Sequence, residues 1–519
     1  MNKRFIIAAF VIAVGLPGVP AARLIAPASN REIQTQSEAI ESLLRSQQYA
    51  KALEAATKLT QAHPDNPLGY NFQGAIYLAS QDIAKARASF EKAVSVQSDY
   101  EPALMNLAEL DLQQKNLSAA RTRYQAVLAR NANNVFAMLG MAKVEAASKN
   151  DAETLAWLRR AKAARPEVAG PRLGLANYYL SKKDYDQTSA ELAEWGRLQP
   201  NNPEMLIVLG RLQTATGKNA EAVSTYQKLV SVRPQSHGAY QTLAVAQMQA
   251  GDISGATASF KKALALKPDF VDALSGLALL EFQANRHAEA LKLAKKIQTV
   301  APKDAIGFVL EGDALVEDKR YPGALAAYEK AFALSPTGST AIKVHSAQAR
   351  AGNTLEADAR LQKWSGEHPD DMVVPLYRAQ EFQKSGKNNE AIEQYQVVLR
   401  KDPTNLMALN NLANLYQAAK DPRAVATAEE AFKLNPNSPA IADTLGWMLV
   451  ESGQTERGVN LLKKAVAHAP KNAEIRYHFA AALAKSGDKM QARKEIETLL
   501  ATTQQFPQRK AAETLLKQL

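Results

Sequence analysis

The sequence contains no cysteine. That excludes disulfides, thiolate zinc sites, cysteine nucleophiles and an N-terminal lipid-modified cysteine. Runs of Val, Ile and Thr in strict alternation are missing, so no strand pattern competes with helix. Basic residues exceed acidic ones, giving a net charge of +11 and a pI near 9.4. Yet no block of about five or six basic residues occurs. The excess reads as Lys and Arg spread over solvated helix faces, and no nucleic-acid partner is expected.

Catalytic signatures are also missing. There is no G-x-S-x-G, no P-loop and no dinucleotide fingerprint. The seven histidines, His63, His237, His287, His345, His368, His468 and His478, form no HExxH pair or other ligand spacing. His63, His368 and His468 fall near helix ends, where a ring can face the last carbonyls. Asp370–Asp371 and Glu429–Glu430 read as solvated charges. The chain is expected to be no enzyme, with no cofactor and no metal.

A long apolar run occurs once. In "MNKRFIIAAFVIAVGLPGVPAARLIAPASN", Lys3 and Arg4 precede apolar residues from Phe5 onward, and "VPAA" supplies small residues near a cleavage point. Residues 1–30 read as a secretory signal peptide or an uncleaved N-terminal anchor in the inner membrane. Either reading implies export, to the periplasm or cell envelope of a Gram-negative bacterium. No later segment is apolar enough to span a bilayer.

What remains is rich in Ala, Leu, Lys and Gln, all helix formers. Prolines punctuate it at a fixed interval. Steps of 34 residues connect Pro166, Pro200, Pro234, Pro268, Pro302 and Pro336. Backward the series runs through Ala132 and Ser98 to Pro64. Forward, with one residue dropped twice, it reaches Pro369, Pro403, Pro436 and Pro470. Proline has no N–H to give a helix interior, so each should end one helix and start a new hairpin. A period of this length marks a solenoid array.

Further columns keep the same register. Ten residues after each anchor stands a small residue: Gly74, Ala108, Ala142, Ala176, Gly210, Ala244, Ala278, Gly312, Ser346, Ala379, Ala413, Gly446 and Ala480. Twelve residues further on come Ala86, Ala120, Ala222, Ala256, Ala290, Ala324, Ala391 and Ala492. Four residues later, on the same helix face, stand Phe90, Tyr124, Tyr226, Phe260, Tyr328 and Tyr395. Two helices are expected to pass closely at the small columns, with the aromatic filling the space beside them. Gly217, Gly251, Gly352, Gly386, Gly453 and Gly487 are expected in left-handed turns between the helices. Pro322 and Pro422 should start second helices.

These columns resemble the tetratricopeptide repeat (TPR), with phrases such as "PALMNLAEL", "MALNNLANLYQAAK" and "LGWMLVESGQTERGVNLLKKAVAHAP". The resemblance implies an all-α, right-handed superhelical solenoid of about fourteen helix-turn-helix repeats over residues 31–503. Repeats ending at Ala132 and Pro369 carry weak signature positions. Residues 504–519 read as a C-terminal capping helix, which an open array needs. The tail from Ile441 to Leu500 also resembles the C-terminal repeats of exported TPR proteins of bacterial exopolysaccharide and PEP-CTERM (exosortase) systems.

In such arrays the first helix of each pair lines the concave surface. Inward positions then lie three before the small column and one, four and five after it. They give Asn71, Asn177, Arg211, Gln241, Lys343, Arg350, Gln380, Gln383, Asn410, Asn414, Gln417, Trp447 and Tyr477 as candidate partner-binding residues. Asn and Gln can hydrogen-bond an extended peptide through both amide groups. Trp447 and Tyr477 could supply flat apolar contact, and Trp rings also stack on sugars. The expected function is a non-enzymatic scaffold for envelope or polysaccharide-export proteins. The alternative is a periplasmic chaperone or adaptor that binds extended peptides for a pilus or secretion machine.

Overall fold

The computed structural model describes residues 28–503 and 505–519. The export segment expected at residues 1–30 lies outside them up to residue 27. The described residues form twenty-nine helices and no strand. None of these helices is long and apolar enough to cross a membrane. The protein is all-α, as the columns require.

The chain divides into two compact units, one ending at Leu266 and the other beginning at Lys267. In the first, seven helical hairpins run from Ala28–Arg45 with Tyr49–Ala62 to His237–Gln249 with Ile253–Leu266. In the second, seven more run from Val271–Gln283 with His287–Val300 to Ala473–Ser486 with Lys489–Thr502. Arg509–Gln518 follows as a last single helix. We call the first helix of each hairpin A and the second B.

Each anchor proline sits one residue past a B-helix C-cap, as Pro234 follows Arg233 and Pro470 follows Ala469. The next A helix then starts from a side-chain cap where one is available. Asn202 Oδ1 accepts from the Met205 N–H at 3.0 Å, and Asn405 Oδ1 accepts from Ala408 N–H at 3.1 Å. Such caps satisfy backbone donors that the helix start leaves open.

Inside a hairpin the small column meets the ring of the B helix. A Cβ on Gly74 would lie 2.5 Å from the Phe90 ring, one on Gly210 2.3 Å from Tyr226, and one on Gly312 2.2 Å from Tyr328. The B-helix alanines of the second column, Ala86 to Ala492, are all buried. Phe90 and Tyr395 are fully buried. Burying such a ring contributes about 3 kcal/mol. The same rings reach the next hairpin, because a Cβ on Gly140 would lie 2.3 Å from Tyr124. Polar ties join hairpins as well. Arg87 on a B helix bonds Asp111 on the following A helix at 2.7 Å, and Arg121 repeats the pattern with Glu145 at 2.9 Å.

The turn between A and B is left-handed in all fourteen hairpins. The six expected glycines have φ between 73° and 98°. The other eight turns place Gln47, Gln81, Lys115, Lys149, Lys183, Asn285, Lys319 and Lys420 at the equivalent position, with φ between 56° and 66°. A side chain there costs roughly 1 kcal/mol relative to glycine.

One column residue differs from the expectation. Counting back from the turn glycine Gly352, the residue at the small column is His345, not Ser346. His345 is buried, whereas Ser346 is only partly so. The residue missing from this repeat comes out of the loop before the A helix. There Ser335, Pro336 and Thr337 lead directly into a capping box with Thr340. Both repeats with weak signatures nevertheless form complete hairpins, Glu101–Gln113 with Leu117–Arg130 and Gly338–Arg350 with Thr354–Glu367.

Urea denaturation monitored by far-ultraviolet circular dichroism tests the turns and the close crossings. Lys149→Gly should stabilise its unit by about 1 kcal/mol, and Gly217→Ala should destabilise it by roughly as much. Gly74→Ala should cost about 1–3 kcal/mol through overpacking against Phe90. The same change in a Phe90→Leu background should cost less, a coupling that a double-mutant cycle would read.

Candidate partner-binding grooves

The A helices carry the candidate residues, and the register decides their surroundings. Two grooves stand out, one in each unit. The first, about 560 Å³, is lined by Arg211, Thr214, Gln241, Val245 and Gln249 among others. The second, about 700 Å³, is lined by Trp447, Tyr477, Ala481, Ala484 and Lys485, and by residues of Arg509–Gln518. These A-helix residues all occupy the positions three before, or one, four or five after, the small column. Four of the sequence candidates therefore line a groove: Arg211, Gln241, Trp447 and Tyr477.

Several candidates are engaged with neighbours. Asn71 is buried, and its Oδ1 accepts from Asn106 at 3.2 Å. Asn177 accepts from Arg211 at 2.9 Å and donates to the Leu173 carbonyl. Gln417 donates to Glu451. Each of these inter-helix bonds spans 34 or 35 residues, so it ties one A helix to the next. Gln383 accepts from the Tyr395 hydroxyl at 3.1 Å, and Gln380 lies 3.2 Å from the Met407 sulfur. Lys343, displaced by the one-residue shift at His345, bonds Asp313 at 2.5 Å and lies over the Tyr328 ring.

The remaining candidates keep polar groups available. Arg350 is exposed, and Gln241 and Asn414 are half-buried. Among the described residues none of the three makes a side-chain hydrogen bond or ion pair. Asn410 is half-buried too, and its Oδ1 is shielded from solvent without a hydrogen-bond partner. An acceptor left unpaired in this way costs about 1–3 kcal/mol, which an incoming N–H would recover only once the side chain turned to expose it.

The two grooves differ in chemistry. The first offers amides and hydroxyls around Arg211 and Lys183. Burial pushes the Tyr226 phenol in its wall up to about 12, so it stays a neutral donor. The second is built around a stack. His478 Nδ1 lies 2.9 and 3.0 Å from the two Asp443 oxygens. Its ring lies parallel to Trp447 with centroids 4.9 Å apart, and Lys485 Nζ sits 5.1 Å from the Trp447 centroid. Trp447 is thus packed by its own chain. Burial also raises the Tyr477 phenol.

Sequence reasoning did not single out Gln249, Thr214 or Lys485, although the register rule reaches all three. Lys489 and Lys510 also line the second groove. They come from a B helix and the last helix, so no A-helix register could find them. Of the three histidines at helix ends, His368 and His468 face carbonyls, whereas the His63 Nε2 is buried without a hydrogen-bond partner. His368 Nδ1 lies 3.1 Å from the Trp364 oxygen, and His468 Nδ1 lies 2.9 Å from that of Lys464. Among the described residues no cluster of His, Asp and Glu could hold a metal.

Comparison with known proteins agrees with this architecture. Three family models described as tetratricopeptide repeat match the chain. One covers residues 77–144, 247–306 and 449–517, a second covers 38–102 and 377–440, and a third covers 203–236. A TPR repeat-containing protein of Pseudomonas aeruginosa is 26% identical over 164 residues, which is 30% of this chain and 28% of that protein. Cellulose synthase operon protein C of Komagataeibacter xylinus is 38% identical over 80 residues, 15% of this chain and 6% of that protein. The chain thus spans less than a third of the length of these relatives. Among solved structures, yeast Tom70 matches with a TM-score of 0.47 at 16% identity, covering 89% of this chain and 97% of that one. The APC/C Cut9–Hcn1 hetero-tetramer matches with a TM-score of 0.34 at 12% identity, covering 87% and 96%. The family matches extend over more than half of the chain and fall on the hairpins described above, so the protein belongs to the tetratricopeptide repeat family, a typically non-catalytic scaffold that binds other proteins or peptides.

Proposed function

We propose that this protein is an exported scaffold of the bacterial envelope that holds other proteins together during exopolysaccharide biosynthesis or export, or during sorting of PEP-CTERM surface proteins. The binding role rests on one observation: the grooves fall at the inward register positions of a repeat family that binds proteins. The envelope context is supported by the basic-then-apolar residues 1–30. It is also supported by the stretch shared with a cellulose synthase operon protein. Repeats suit the task because each hairpin adds surface without a new core, so one chain can hold several partners at set distances.

A second reading has its own support. Asn410 and Asn414 stand one turn apart on one A helix, and a turn of the Asn410 side chain would present its orphaned Oδ1, with the unbonded Asn414 amide, to the backbone of an extended peptide. In that reading the protein is a periplasmic peptide-binding chaperone or adaptor for a pilus or secretion machine.

Crosslinking in intact cells, followed by fractionation and mass spectrometry, separates the two. The scaffold reading expects the protein in the periplasmic or membrane fraction, with polysaccharide synthase or export components attached. A cytoplasmic location would remove it. The chaperone reading expects a diverse set of unfolded secreted proteins. It also expects Asn410→Ala with Asn414→Ala to weaken binding of unfolded peptides about tenfold, roughly 1.4 kcal/mol. Thermal stability should hold or rise, because Asn410 loses an unpaired acceptor. Unchanged affinity in the double variant would reject the peptide groove.

A further inference from the structure

One boundary in the first unit is built differently from the rest. The B helices of the fourth and fifth hairpins, Asp151–Ala164 and Tyr185–Leu198, carry Thr154 and Thr188 where every other B helix carries Ala or Gly. Four residues later stand Leu158 and Leu192 instead of a ring. The buried apolar cluster across this boundary is small: Ala142, Leu158, Leu175 and Tyr179. Charge supplements it. Lys162 Nζ, on the fourth B helix, donates to Glu191 at 2.9 and 3.1 Å and to Glu194 at 2.6 Å, both on the fifth. Arg172 stands on the A helix between them, Ala169–Ser181, and is only 3% exposed. Its Nε donates to the Pro166 carbonyl at 2.9 Å. Its Nη1 lies 3.0 Å from Glu194 Oε1 but makes no aligned hydrogen bond. The Glu194 carboxylate is therefore what offsets the buried guanidinium charge.

We propose that this boundary is an acid-released joint: protonation of Glu194 strands the buried Arg172 charge, and the first four hairpins then uncouple from the next three. The device goes beyond the scaffold reading and does not depend on it. Removing one partner of a buried charge pair is strongly destabilising, because the other charge stays buried. The direction follows from the surroundings. The hydrogen bond from Lys162, with Arg172 alongside, holds the Glu194 carboxyl below its ordinary value of 4.5. A carboxyl lowered by folding stabilises fully above that value, and its contribution is lost as pH falls through the lowered one. The charged neighbours are engaged elsewhere. Glu191 bonds only Lys162. On the fourth hairpin Arg159 bonds the Tyr179 hydroxyl, and Asp151 pairs with Lys182. In the loop Arg165 pairs with Glu167. On the sixth hairpin Arg211 bonds Asn177 and Glu204 pairs with Arg233, while Glu221 and Lys228 bond neither Glu194 nor Arg172. No second anion takes over when Glu194 is neutral.

The chain has no cysteine, so introduced ones carry spin labels cleanly. Gln125→Cys with Gln227→Cys, both exposed, places labels on the third and sixth B helices, across the joint. Ala88→Cys with Ala156→Cys, on the second and fourth, stays on one side of it. Double electron–electron resonance on the full chain reads each distance from neutral pH down to about pH 3. The spanning pair should lose its single narrow distance with a midpoint below 4.5, while the other pair and the far-ultraviolet circular dichroism hold. Glu194→Gln, which mimics the protonated carboxyl, should broaden the spanning distance already at neutral pH. Glu204→Gln, whose partner Arg233 is exposed, should leave it narrow. Arg172→Met removes the buried cation and should keep the distance narrow in acid, a rescue that lost packing alone would not give. A spanning distance indifferent to acid, or to Glu194→Gln at neutral pH, would overturn the proposal. So would acid release that persists in Arg172→Met. Broadening of both pairs together with loss of helical signal would mean ordinary acid unfolding and would overturn it as well.

Discussion

The close approach of two helices at the small column sets the geometry of the hairpins, and in six of the fourteen a ring stands sixteen residues later to fill the space beside it. At Gly74, Gly210 and Gly312 there is no room for even a methyl group beside the ring as it sits. That contact sets how near the axes lie and so where every other side chain points. Where the ring also reaches the next hairpin, as Tyr124 reaches Gly140, one residue serves two interfaces. No hairpin has a core of its own, and the protein is stable only as a stack.

Repetition then converts sequence positions into faces. The positions flanking the small column recur in every A helix, but their fate differs from repeat to repeat. Some bind the neighbouring A helix, as Asn71 binds Asn106 and Arg211 binds Asn177. Others, such as Gln241 and Asn414, are left unbonded. The face is thus a mixture of internal ties and open positions. Both grooves carry basic residues, Arg211 and Lys183 in the first and Lys485, Lys489 and Lys510 in the second.

Legibility in the sequence followed locality. Proline anchors, turn glycines and small columns are local rules, and the hairpins obey them. The left-handed turns at Lys115, Lys149 and Lys183 could not be seen, because lysine carries no mark of the conformation; only their spacing from Gly217 and Gly251 assigns it. The slip at His345 was hidden because Ser346 is small and sits where a column residue belongs. Burial and the turn at Gly352 decide that the imidazole is the residue facing inward.

By itself the sequence determined the helical class, the hairpin repeat, the tight helix crossings and the stripe of A-helix positions that faces the grooves. These are consequences of backbone sterics and side-chain volume, repeated until chance is excluded. Tertiary structure alone decided which stripe residues remain open. A bond such as Asn177 to Arg211 joins residues 34 apart whose distance depends on how two hairpins stack. It alone brought Lys489 and Lys510 into one groove with Lys485, because their three helices meet only when the last repeat closes against the final helix. Charge and shape at a groove are sums over several elements, and no periodicity within one element contains them.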